Sequence, residues 1–130
     1  MNDLIAKTDF YTVGINKPKN RAYLIFTGYC SKPSNIPNFL DDIKKAAHGL
    51  KQGFTLLTDV TMLKTPPQDV AELHIKSQEI WIESGLSKTA EILPNTKIAK
   101  MALDRWSKTS GMKKEWFDNK FEAEAWLDGK

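Results

Sequence analysis

The chain has 130 residues, 41% of them hydrophobic and 27% charged, and its 19 basic against 16 acidic side chains leave a net charge of +3. That length suits one domain with a real core, and charge mixed along the chain with no basic block argues against a nucleic-acid partner. Cys30 stands alone, which excludes an intramolecular disulfide; no apolar run matches a bilayer span or a signal-peptide core, so the expected compartment is the cytoplasm.

Residues 1–8 are expected to form a short, loosely held lead-in. Phe10 to Ile15 and Arg21 to Gly28 read as two strands, joined through the turn cluster Asn16 to Asn20 into an antiparallel hairpin. Cys30 to Asn35 is a loop ending in two helix-starting candidates, Ser34 and Asn35. Ile36, Phe39, Leu40, Ile43, Ala46, Ala47 and Leu50 then fall on one helical stripe, with Asp41, Asp42, Lys44 and Lys45 opposite. That helix ends between Gly49 and Gly53.

Gly53 to Thr61 is the stretch around which the rest is organised. It is β-branched and aromatic, with apolar side chains on both faces near its middle, as in a strand covered by helices on both sides. Thr65-Pro66-Pro67-Gln68 then spells a helix start, with Thr65 as N-cap, Pro66 at the first helical position and Gln68 reaching back. The helix continues from Asp69 to Ser84 and stops at Gly85. Val70, Leu73, Ser77, Ile80, Trp81 and Ser84 form the stripe that faces the sheet. Ala71, Ile75 and Ile82 form a second stripe about 100° away, to be covered by a neighbouring helix, another subunit or a ligand.

Thr89 to Leu93 reads as a short strand. Thr96 caps the next helix, whose predicted stripe is Ile98, Met101, Ala102, the stem of Arg105, and Trp106; Ser110-Gly111 ends it. Lys113 to Phe117 is a last edge strand with protective lysines. Asn119 caps a final helix with Glu122 at its third position, and Phe121, Ala125, Trp126 and Leu127 supply the apolar face. The order β-β-α-β-α-β-α-β-α predicts a single α/β domain, residues 1–130, with a mixed sheet under helical cover.

The order of elements, the strand ending Leu57-Thr58-Asp59-Val60-Thr61, the stretch from Ile92-Leu93-Pro94 to Met101 and the closing segment Trp116 to Leu127 resemble the STAS-like bacterial proteins. These are small stand-alone relatives of the anti-sigma factor antagonists and of the cytoplasmic domains of sulfate transporters. The resemblance implies a STAS-like fold and a non-catalytic regulatory or ligand-binding module, compared in some relatives with lipid-binding Sec14-like domains. The antagonists are switched by phosphorylation of a Ser in an Asp-Ser-Ser-Gly-type loop after the strand matching Gly53 to Thr61. Here that loop reads Met62-Leu63-Lys64-Thr65-Pro66-Pro67, and Thr65 is the position nearest to the modified residue. Phosphate there would sit on a helix N-terminus, while capping alone also explains a Thr before two prolines.

Other chemistry is thin. His48 and His74 are the only histidines, neither with a second ligand one helical turn away, so neither a metal nor a cofactor is expected. His74 falls within the core-facing stripe of the long helix, where a buried imidazole is the plain reading. Cys30 could be a nucleophile only with a base beside it. Asp59 stands near the end of a central strand, where open α/β sheets bind ligands, and where a carboxylate also caps its own turn. No glycine-rich phosphate loop or paired-carboxylate motif is present. The expected function is a binding module for a protein partner or an apolar small molecule, using Asp59, Met62, Leu63, Thr65, Ala71, Ile75 and Ile82. The alternative is a small enzyme using Asp59 or Cys30. The expected assembly is a homodimer closed across the Ala71, Ile75 and Ile82 stripe.

Overall fold

In the computed structural model, which describes residues 2–130, six strands lie in chain order across one sheet. They are β1 (Asp3–Lys7), β2 (Tyr11–Asn16), β3 (Arg21–Phe26), β4 (Thr55–Asp59), β5 (Lys88–Ile92) and β6 (Glu115–Phe117). The first two connections are hairpins, so β1 to β3 are antiparallel. From β3 to β6 every pairing is parallel, and each crossover is a helix: α1 (Phe39–His48), α2 (Gln68–Glu83) and α3 (Lys97–Ser110). A last helix, α4 (Lys120–Leu127), closes the chain. The result is a single α/β domain with a mixed sheet, as the hydrophobic pattern predicts.

Two apolar clusters show how the sheet is covered. Leu24, Leu56, Phe26 and their neighbours pack beneath α1, α2 and α3, which lie side by side. Tyr23, Leu57, Ala90 and Ile92 pack beneath α4 alone. Leu56 and Leu57 therefore go to opposite faces, and both are buried, which is why this strand carries apolar residues without alternation. Because all three crossovers cover one face and strand order never reverses, the sheet has no switch-point crevice of the doubly wound kind.

Several expectations need correction. The lead-in contains β1, an edge strand paired to β2 with a register shift between Leu4 and Ala6, its Ile5 and Ala6 packed on the core; Met1 lies outside the described residues. Ser34 and Asn35 lie in a short 3-10 turn, Pro33–Asn35, and α1 starts only at Phe39. Thr65 is exposed and outside α2, whose N-cap is Pro67 with no side-chain cap; two successive prolines hold the backbone extended past Thr65 before it can turn.

The stripe of α3 is displaced by one residue. Ala99, Ala102, Leu103, Trp106 and Ser107 are buried, while Ile98, Met101 and Arg105 are exposed. Phe121, assigned to the apolar face of α4, is the most exposed large apolar side chain among the described residues, at 83%. Lys114 guards no edge; its ammonium is drawn inside.

The caps predicted for α3 and α4 are both formed. Thr96 Oγ1 accepts from the Ala99 N–H at 3.1 Å, and Asn119 Oδ1 from the Glu122 N–H at 2.9 Å. Gly85 ends α2 at φ +105°, where a Cβ would also meet Gln52 at 2.7 Å, so only glycine fits.

Candidate functional site

Three parallel strands in a row bring the loops that follow β3, β4 and β5 together at one end of the sheet. At that end, between the β1–β2 turn and the loops after β3 and β4, lies a narrow cleft lined by Phe10, Tyr11, Phe26, Gly28, Cys30, Ile36, Leu63, Lys64, Pro66 and His74. Its lining is mainly apolar, with Lys64 and His74 among it, and the loop Thr61–Pro67 covers it through Leu63 and Pro66. The enclosed space is about 10 Å³, enough for a group of methyl or water size but far below the volume that surrounds a whole small ligand, roughly 300 Å³ or more.

The three residues with nucleophile or base chemistry are each engaged structurally. Asp59 Oδ1 accepts from the Thr61 N–H at 3.0 Å, capping the turn that leaves β4. Cys30 is buried, and its thiol donates to the Lys32 carbonyl at 3.3 Å. Burial pushes that thiol above its ordinary pKa, away from the thiolate that a nucleophile requires.

His74 is buried, with three aromatic rings around it. Its imidazole stacks on Trp106 at 4.6 Å and meets Phe26 edge-on at 4.9 Å and Phe39 at 5.6 Å. Burial in that cage holds its pKa down to about 4, so the ring is neutral at physiological pH. No pair among Asp59, Cys30 and His74 is hydrogen-bonded.

Of the other predicted surface residues, Met62 is exposed, Thr65 is exposed, and Leu63 is buried as part of the roof. Ala71 is buried in the main core, Ile75 is half-buried, and Ile82 is exposed. The second stripe of α2 therefore does not reach the surface as a stripe. Its N-terminal part is core, because α1 and α3 flank α2 on both sides.

A second cavity lies behind His74, between α2, α3 and the sheet, and holds about 20 Å³. Sequence reasoning missed its polar side. Thr58, Ser77, Gln78 and Glu91 line it among apolar residues. Glu91 is buried on β5, and Lys114 Nζ lies 2.9 Å from its carboxylate, in ion-pair contact but off the hydrogen-bond direction. Lys114 also sits 4.3 Å above the Trp116 ring and 3.5 Å from Asp104. Burial raises the Glu91 pKa against the pull of Lys114. The available signal was a Glu inside the apolar run of β5, which has to find a cation.

The far face carries a comparable lock. The buried Arg21 guanidinium donates to Glu124 at 2.8 Å, Asp128 at 2.9 Å and Thr55 Oγ1 at 2.8 Å. The Tyr23 hydroxyl donates to the same Glu124 at 2.7 Å. Burial and that carboxylate push the Tyr23 pKa up to about 12. This network fastens α4 to the sheet.

Among the described residues no group of His, Cys, Asp and Glu is placed to hold a metal, and no helix is long and apolar enough to cross a membrane. Comparison with family models, curated proteins and solved structures finds no match.

Proposed function

We propose that the protein is a non-catalytic, STAS-like binding module whose strand-end cleft receives an apolar group from a protein partner or a small molecule. One observation carries this reading. At the end of the sheet where α/β folds place their sites, Asp59, Cys30 and His74 are each committed to a turn, a carbonyl or an aromatic cage. What the same loops leave available is an apolar cleft beside an exposed Met62. The cleft as it stands suits an inserted side-chain tip rather than an enclosed molecule.

The enzyme alternative would need a base beside Cys30 or an acid–base partner beside Asp59, and neither residue has one among its hydrogen-bond partners. A homodimer through α2 has less surface to use than its sequence suggests. Ala71 is withdrawn, leaving Ile82 and the outer part of Ile75 for a two-fold seam.

Native mass spectrometry of freshly purified protein tests the reading. A co-purifying apolar adduct, or a complex with a second protein lost when Leu63 is replaced by Glu, is the expected result. Turnover that depends on Asp59 or Cys30 would contradict it.

A further inference from the structure

The cavity behind His74 has a polar side built from three elements. Thr58 on β4 and Glu91 on β5 are register partners. Adjacent strands lie about 4.8 Å apart, so the two side chains stand next to each other. Both face α2 and α3, because Leu57, Ala90 and Ile92 take the opposite face of the sheet beneath α4. From α2 come Ser77 and Gln78, and all four of these polar residues are buried. The void that they line together with apolar side chains holds about 20 Å³. One water molecule needs roughly 10–15 Å³ and two to four polar partners.

The hydrogen-bonding capacity on this side is only partly used. Ser77 Oγ donates to the His74 carbonyl at 2.7 Å, which leaves it able to accept. Gln78 Oε1 accepts from Ser110 Oγ at 2.6 Å, which leaves its amide NH2 group to donate. Thr58 brings a hydroxyl that can do either. Glu91 is only 2% exposed, and Lys114 Nζ stands 2.9 Å from its carboxylate but off the hydrogen-bond direction. A buried ion pair offsets its desolvation only when further hydrogen bonds satisfy the remaining lone pairs. Lys114, as oriented, supplies none to Glu91 Oε1.

We propose that this cavity is an internal hydration site. It holds one long-lived water among Glu91, Thr58, Ser77 and Gln78, which donates to the Glu91 carboxylate and accepts from the Gln78 amide. An apolar guest in the same space would leave the buried carboxylate unsolvated, so the site selects water. His74 lines both voids, and it therefore divides a wet cavity from a mainly apolar cleft. The inference concerns the interior and stands independently of the cleft reading, which native mass spectrometry tests separately.

The experiment is nuclear magnetic resonance of the full chain in solution, read in two ways. NOE and ROE spectra selective for water should show cross-peaks of opposite sign to the methyl groups of Leu24, Leu56, Leu103 and Met112, which line the cavity. Opposite signs mark a water that moves with the protein. Oxygen-17 relaxation dispersion is blind to the exchanging hydroxyl protons of Thr58 and Ser77. It should count one long-lived water fewer in Glu91→Met with Lys114→Met than in the wild type. That double change removes both charges at similar volume, which buried ion pairs commonly tolerate, and unchanged circular dichroism checks the fold. Should it fail to fold, Thr58→Val with Gln78→Leu removes two of the four partners, and the same loss is expected. Wild-type protein without cross-peaks to any of the four methyl groups overturns the proposal. So does a folded variant that keeps the full number of long-lived waters.

Discussion

The imidazole of His74 lies nearly parallel to the indole of Trp106, their ring centroids 4.6 Å apart and their planes 13° from parallel. This stack joins α2 to α3 over the centre of the sheet. It also separates the strand-end cleft from the cavity behind it, since His74 lines both.

A pH dependence follows from that burial. The His74 pKa is lowered from 6.5 to about 4 in the folded protein. Below pH 6.5 the unfolded chain takes up a proton that the folded chain refuses, so the stability due to the neutral ring is complete above the unfolded pKa. It is lost as pH falls toward 4, by roughly 3 kcal/mol. Glu91, with its pKa raised by burial, acts in the opposite sense within the acid range, so the comparison has to be made between variants. His74→Phe should unfold with a shallower loss of stability from pH 6.5 to 4 than the wild type, measured by denaturant titration at each pH. Parallel slopes would place His74 in water.

Thr65 and Thr96 make a matched pair. Thr96 caps α3 through its hydroxyl and Thr65 caps nothing. Thr96→Ala should cost about 1 kcal/mol and Thr65→Ala less than about 0.5 kcal/mol by chemical denaturation. Equal losses would mean that α2 begins at Thr65 after all.

Arg21 is the pin of α4. Replacing it by Ala leaves the part-buried Glu124 without its guanidinium partner, with the Tyr23 hydroxyl still donating to it, and should cost about 3–5 kcal/mol. Hydrogen exchange should show α4 opening first, because eight residues have little helical stability of their own. Uniform protection across α4 and β4 in the variant would count against this latch.

Leu56 sits at 1% exposure beneath the three-helix layer. Leu56→Ala should cost about 2–5 kcal/mol, read as a lowered denaturation midpoint, and an unchanged midpoint would remove β4 from the centre of the sheet.

What was legible in the sequence was what periodicity and caps encode. The Gly53–Thr61 stretch, the turn before Arg21, and the caps Thr96 and Asn119 all act locally, and each sits where expected. β1 was illegible because Leu4-Ile5-Ala6 is a short run with no turn signal after it, and its pairing to β2 is interrupted by a register shift between Leu4 and Ala6. The α3 stripe failed for a more informative reason. Ile98, Met101, Ala102, Arg105 and Trp106 fit a helical repeat as well as Ala99, Ala102, Leu103 and Trp106 do, and the larger side chains argued for the wrong face. Only packing against α2 and β5 decides between them, and it leaves two large apolar residues in water. At the candidate site, Asp59 and Cys30 could be placed at strand ends from the sequence. The cap that Asp59 Oδ1 makes with the Thr61 N–H is the local contact expected of a carboxylate at a strand end, whereas the bond from the Cys30 thiol to the Lys32 carbonyl is set by the conformation of its loop. The pairing of Glu91 with Lys114 likewise joins β5 to the residue just before β6, which meet only in the sheet.

The most direct measurement is a methyl-resolved NMR spectrum of the protein under increasing methane pressure, an apolar probe of the methyl size that the cleft can take. The account places the apolar site under the roof loop, so the shifts should concentrate in the methyl groups of Ile36, Leu63 and Met62. Those of Ile75 and Ile82 on α2 should stay in place. Shifts confined to the α2 residues, or spread evenly over the surface with none at Leu63, would contradict the assignment of the strand-end cleft as the binding site.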